Sequence, residues 1–167
     1  NDDGPVSVGE DSGTTNVAVL GNDDFGGDGP STGTITIVSG PSNGTATVND
    51  GGTPDDPTDD MIDYTPNPDY NGSDSLVYEI CDANGDCDQA TLSLDVTPVN
   101  DPPVAEDDSA TTPEDTPVDI PVVDNDSDVD GNLDPTSVTI TDPPAHGTVT
   151  VDPVTGVVTY TPDPDFN

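Results

Sequence analysis

Between Asp124 and Gly131 the chain reads Asp-Asn-Asp-Ser-Asp-Val-Asp-Gly, with an acid at every second position (Asp124, Asp126, Asp128 and Asp130) and a glycine where a sharp turn would follow. A hard cation such as Ca2+ takes about six to eight oxygens from carboxylates, amides and carbonyls, and acidic loops supply them. The spacing therefore points to a calcium loop. The plainer reading of the same residues is an acidic turn held in water.

Composition favours the cation. The 167 residues carry 36 Asp plus Glu and no Lys or Arg, for a formal net charge of -36. No Lys or Arg salt bridge can form, and self-repulsion of this size opposes a compact state unless external cations offset it. The same absence excludes nucleic-acid binding, in which Lys and Arg displace the counterions of phosphate. It also excludes direct docking on anionic lipid. Catalysis has little to work with: there is no Cys–His pair, no Gly-x-Ser-x-Gly elbow and no phosphate loop with its lysine. His146, the one histidine, sits in Pro-Pro-Ala-His-Gly and reads as a turn residue, since Asn43 takes its place in an earlier, similar stretch. Carboxylate pairs abound, but a catalytic pair needs a cleft that raises one pKa.

The acids need a scaffold, and the chain carries one twice. Tyr64-Thr-Pro-Asn-Pro-Asp-Tyr-Asn71 is identical at six of eight positions to Tyr160-Thr-Pro-Asp-Pro-Asp-Phe-Asn167. Asn43-Gly-Thr-Ala-Thr-Val48 returns as His146-Gly-Thr-Val-Thr-Val151, Leu20-Gly-Asn-Asp23 as Val123-Asp-Asn-Asp126, and Glu10-Asp11 as Glu114-Asp115, all in the same order. Self-similarity at this period means one folded unit per copy. Matching Asp2-Asp3 with Asp107-Asp108 gives a first repeat over residues 1–98, a Pro-rich linker over 99–105 and a second repeat over 106–167. An extra segment in the first copy, residues 51–60, reads as an exposed loop.

Short β-branched runs between Gly, Pro, Asn and Asp clusters predict seven strands in the first repeat, near residues 5–8, 16–20, 34–38, 45–48, 61–65, 75–81 and 88–96. Seven strands in one such repeat suit an immunoglobulin-like sandwich. With 19 Pro and 17 Gly, no apolar helical stripe survives. The second repeat supplies only the first five strands and is incomplete. Its last two strands are expected either just beyond Asn167 or from another chain, by strand addition.

In the final two strands Leu76, Tyr78 and Ile80 alternate with outward positions, as do Ala90, Leu92, Leu94 and Val96. A two-residue Asn84-Gly85 turn could join them, but it opposes Cys81 to Asp88. A five-residue loop instead sets Cys81 against Cys87, Tyr78 against Ala90 and Leu76 against Leu92, with the apolar positions on one face. The longer loop is preferred. It predicts a Cys81–Cys87 disulfide on the outer face of the hairpin, as suits an oxidising, extracellular setting.

The linker Val99-Asn-Asp-Pro-Pro-Val-Ala-Glu-Asp-Asp108, the Glu114-Asp-Thr116 element and the Tyr-Thr-Pro-x-Pro-Asp-Tyr-Asn-Gly-Ser-Asp-Ser run leading into Tyr78-Glu-Ile-Cys-Asp82 resemble the bacterial Ig-like and cadherin-like tandem repeats of large surface adhesins and matrix proteins. The resemblance covers essentially the whole chain. It implies an all-β fold of tandem immunoglobulin-like (cadherin-like) Greek-key β-sandwiches, an extracellular or cell-surface location, and Ca2+ at loops and junctions. Asn100, Asp101, Asp107, Asp108, Glu114 and Asp115 are similar to the junction acids of such arrays, and Pro102-Pro103 would stiffen the connection. The alternating acids at 124–130 resemble the first half of an EF-hand loop without its closing Glu, which makes them a calcium loop and not an EF-hand. Asn43, Asn71 and Asn125 match the N-glycosylation acceptor pattern.

The function expected is a structural or adhesive spacer in a calcium-stiffened fibre, filament or biofilm matrix, with neighbouring repeats or identical chains as partners. An acidic surface that holds cations or mineral is the alternative. A carbohydrate-binding repeat has the least support, at 4% aromatic residues and no Trp.

Overall fold

The β-branched runs of the first repeat pair as strands because each carries one apolar face to bury. In the computed structural model, which describes residues 1–166, they form β1 (Asp3–Gly9), β2 (Thr15–Val17), β3 (Thr36–Ser39), β4 (Gly44–Asn49), β5 (Met61–Pro66), β6 (Gly72–Cys81) and β7 (Cys87–Thr97). No α-helix occurs among the described residues. The chain falls into two compact units, Asn1–Val99 and Asn100–Asn167.

In the first unit one sheet runs β1-β7-β6-β3 and the other β2-β5-β4. Only the β1–β7 pairing is parallel. Leu76, Tyr78 and Leu92 project from the first sheet and Val17, Ile62 and Tyr64 from the second, each no more than 4% exposed. Removing such side chains from water contributes about 1.5–3 kcal/mol apiece, and this two-layer core holds the sandwich closed.

The hairpin register is the one the apolar alternation demands: Leu76 faces Leu92, Tyr78 faces Ala90, Ile80 faces Asp88 and Cys81 faces Cys87. Asp82 organises the loop between them, its Oδ1 accepting from the backbone of Asn84 at 2.8 Å and of Asp86 at 2.9 Å. The two cysteines are joined, with Cα atoms 4.1 Å apart. Reduction should lower the stability of this unit by about 2 kcal/mol through the freed loop entropy. Alkylation with and without reductant, read by mass, together with the shift in urea midpoint, checks both parts.

Residues 51–60 are mainly exposed, as expected of an inserted loop, but its end is not. Pro57 and Asp60 are buried, and Asp60 Oδ2 accepts from Ile35 N at 2.7 Å. Asp60 directly precedes β5, so the chain's return to the sheet carries it inside. Burial holds its carboxyl above the usual aspartate range.

The second unit contains β8 (Val118–Ile120), β9 (Gly147–Val151) and β10 (Val158–Pro162) in the order β8-β10-β9, a copy of β2-β5-β4. Five strands were expected here, and the counterparts of β1 and β3 do not form among the described residues. The reason lies in the pairing: β1 joins the first sheet through β7, and β3 joins it through β6. Residues 106–166 hold no counterpart of β6 or β7, so those two segments have no ladder to complete. Residues 100–105, read above as linker, bond within this unit: Val104 and Ser127 exchange backbone hydrogen bonds of 2.8 and 3.0 Å.

Candidate functional site

The repeated motifs meet in space, which explains why they repeat. A Cβ added at Gly44 would lie 2.7 Å from the Tyr64 ring, and one at Gly147 2.6 Å from the Tyr160 ring. Only glycine lets β4 and β9 pass so close to the tyrosine of the neighbouring strand. Asp11, Asp69, Asp115 and Asp165 all adopt left-handed backbone, with φ of 57° to 59°. Asp69 N donates to Asp11 Oδ1 at 3.3 Å, and Asp165 N donates to Asp115 Oδ1 at 3.2 Å. The second acid of each Glu-Asp pair thus ties down the Pro-x-Pro-Asp loop. Glu10 is buried, accepting from Val99 N at 2.8 Å and from the Asn71 amide at 3.3 Å. Its counterpart Glu114 is exposed.

The opening acids show the same doubling. Asn22 Nδ2 donates to Asp2 O at 3.0 Å, as Asn125 Nδ2 does to Asp107 O at 3.3 Å. Asn1 N donates to Asp23 Oδ1 at 2.6 Å, as Glu106 N does to Asp126 Oδ1 at 2.9 Å. Asp107 and Asp126 therefore hold the entry of the repeat to its long loop. Asp108 and Asp124 are exposed.

The remaining candidates gather at one place in the second unit. Asp101 N donates to Asp130 Oδ2 at 2.7 Å, and Asp130 N donates to Asp128 Oδ1 at 2.9 Å. The Asn132 side-chain amide sits between Asn100, 3.0 Å away, and the Asp128 carboxylate, 2.9 Å away. Asn100, Asp101, Asp128 and Asp130 are thus brought together with Asn132, which the alternation of acids did not mark. No three carboxylates of Asp124, Asp126, Asp128 and Asp130 lie within 4.8 Å of one another, so the four do not close on a single point as an EF-hand loop would. What the loop and the preceding segment offer is an all-oxygen set of carboxylates and amides, the donor chemistry of a hard divalent cation. The thiols are excluded from such a role, because Cys81 and Cys87 are bonded to each other.

The model of the bacterial Ig domain matches residues 1–95 and again residues 100–167. The chain belongs to the bacterial Ig domain family. No curated protein matches it. Bacterial Ig domains are typically surface-exposed structural or adhesive modules, and one match falls in each of the two units.

Within these Ig domains two further features bear on function. The amide nitrogens of Asn71 and Asn125, two of the three glycosylation triplets, donate inside the fold, to Glu10 and to Asp107 O. His146 stacks on Phe166, with ring centroids 4.4 Å apart, and its carbonyl accepts the Tyr160 hydroxyl at 2.6 Å. His146 lies in a bend directly before β9, and its backbone is not left-handed. Sequence reasoning missed Asp74, whose carboxylate is 7% exposed and accepts four hydrogen bonds. The signal was present in the Asn-Gly-Ser-Asp-Ser run, which carries an acid at an inward position of β6.

Proposed function

We propose that this pair of Ig domains is a structural or adhesive segment of a surface fibre, filament or biofilm-matrix protein, stiffened by Ca2+. The observation that carries the reading is the convergence of Asn100, Asp101, Asp128, Asp130 and Asn132 in a chain that has no Lys or Arg to neutralise them. A bound Ca2+ would take carboxylate oxygens of Asp128 and Asp130 and amide oxygens of Asn100 and Asn132, joining the start of the second domain to its long loop. The charge relieved there would otherwise oppose packing. Partners in this reading are neighbouring repeats of the same chain or identical chains.

Calcium titration at low salt tests it. Extracellular calcium modules bind at about 10⁻⁴ to 10⁻³ M, and binding to the native state alone raises stability by mass action. The melting temperature should rise and the hydrodynamic radius should change over that range. Equal ionic strength supplied as NaCl should do less, and Asp128→Asn with Asp130→Asn should remove the difference. A chelator that leaves both readouts unmoved would sink the proposal. Binding of tens of weak ions, insensitive to the two substitutions, would favour the mineral-holding alternative.

A further inference from the structure

Tyr78 is fully buried in β6, and its hydroxyl oxygen meets three acceptors: Asp23 Oδ2 at 2.6 Å, Asp3 Oδ2 at 2.7 Å and Val19 O at 3.1 Å. A phenol has one hydrogen to donate. If both carboxylates were ionised, one of them would face the lone pairs of the phenol at hydrogen-bond distance with no proton between. Two short contacts to one hydroxyl therefore require a second proton, and it must sit on a carboxyl.

The geometry says which one. The Asp23 side chain is 1% exposed and has a donor for each oxygen, Asn1 N on Oδ1 and the Tyr78 hydroxyl on Oδ2. The Oδ1 bond does not depend on a terminal charge, because Glu106 N makes it to Asp126 from inside the chain. Asp23 is thus satisfied as an anion. Asp3 meets only the phenol.

We propose that Asp3 retains its proton in the folded domain and donates it to the Tyr78 oxygen, while Tyr78 donates to ionised Asp23, so that the three form a proton-dependent latch. It joins β1, through Asp3, to the turn after β2, through Asp23, and to β6. The charged groups facing Asp3 are Asp2, which directly precedes β1, Asp23 and the N-terminal amine. Asp2 is itself held by Thr91 N at 2.9 Å, and the β7 residues beside Asp3, namely Thr91, Leu92 and Ser93, are neutral. Burial raises the Asp3 carboxyl above the usual aspartate range and is the largest influence. A phenol hydrogen bond donated to Asp3 would oppose it, Asp23 and Asp2 reinforce it, and the amine opposes it. A raised value in the folded state means stability that is full in acid and is lost as the pH rises through that value. The latch closes on acidification and loosens toward neutrality.

Carboxyl-carbon NMR of the whole chain reads it directly. The Asp3 signal should titrate above the usual aspartate range, and amide exchange at Val6 and Val8, corrected for intrinsic rate, should slow as the pH falls through that midpoint. Asp3→Asn supplies an N–H donor to Tyr78 at every pH, so this variant should melt higher than the parent at neutral pH and lose the β1 pH dependence. The latch is overturned if Asp3 titrates with the exposed aspartates. It is equally overturned if Asp3→Asn lowers the melting temperature by the same amount at all pH values, as a merely structural residue would.

Discussion

Asp74→Ala will cost the first Ig domain about 3–5 kcal/mol, and Asp74→Asn will not rescue it. The side chain projects inward from β6, 7% exposed, and each of its oxygens accepts twice. Oδ1 takes Ser42 N at 3.0 Å and Ser75 N at 2.9 Å, and Oδ2 takes Asn43 N at 3.0 Å and the Tyr64 hydroxyl at 2.9 Å. One carboxylate thereby links the first sheet to the chain entering β4 and to β5 of the second sheet. Hydrogen bonds to a charged group contribute about 1.5–3 kcal/mol each, and orphaned buried donors add a penalty. The total stays below the sum because the four share one side chain. An amide in place of the carboxylate turns its N–H2 either toward two backbone donors, Ser42 N and Ser75 N, or toward Asn43 N and the Tyr64 hydroxyl, so in each orientation at least one buried backbone N–H is left facing a donor. Tyr64 cannot compensate by ionising, since burial, and then the Asp74 hydrogen bond and charge, hold its phenol far above the ordinary tyrosine range. Asp119→Asn, at an exposed carboxylate bonded to Thr159 in the second domain, is the control and should change stability by less than about 0.5 kcal/mol. Urea midpoints at constant slope measure both. Were Asp74→Asn to match the parent, the cross-sheet role of Asp74 would be wrong.

Strand identity was legible from period two, and the hairpin register from period two together with the choice of loop. Once Leu76, Tyr78, Leu92 and Leu94 must share a face, the two-residue Asn84-Gly85 turn is excluded because it shifts the pairing by one residue, and the five-residue loop that sets Cys81 against Cys87 is the one that forms. The number of strands in the second domain was not legible in the same way. Residues 110–112 and 137–141 have the composition of strands, but a strand exists only where another offers a ladder, and propensity says nothing of partners. The acids also have a use that their spacing did not show. Alternation at 124–130 suggested four carboxylates aimed at one ion, whereas Asp126, Asp128 and Asp130 each accept a backbone N–H first. A chain without Lys or Arg turns its carboxylates to the only donors it has, which are amides and hydroxyls. That use leaves no trace in spacing, because the donors to Asp126 and Asp130 lie 20 and 29 residues away.

In a chain of these 167 residues the second Ig-domain segment should open far more readily than the first. Among its described residues Val158 and Pro162 are the only buried apolar or proline side chains, whereas the first domain closes two sheets over a continuous core. A groove lined by Ala110, Val118, Ile120, Tyr160, Pro162 and Phe166 lies open on the sheet face that corresponds to the one β6 and β7 cover in the first domain. Phe166 is 41% exposed and Val154 72%. A three-stranded sheet with one uncovered face lacks the two-layer burial that makes a sandwich cooperative. Local opening free energies follow such burial. Amide protection at Val149, Val151 and Thr159 is therefore expected to fall at least about 100-fold below that at Leu76, Tyr78 and Leu92, a gap of about 2.7 kcal/mol. Thermal unfolding should show two steps, and only the later one should respond to reduction of Cys81–Cys87, which lies in the first domain. Added Ca2+ should raise protection first around Asp128–Asn132 and narrow the gap. One cooperative transition, with equal protection in β7 and β10, would show that the open sheet face carries no such penalty.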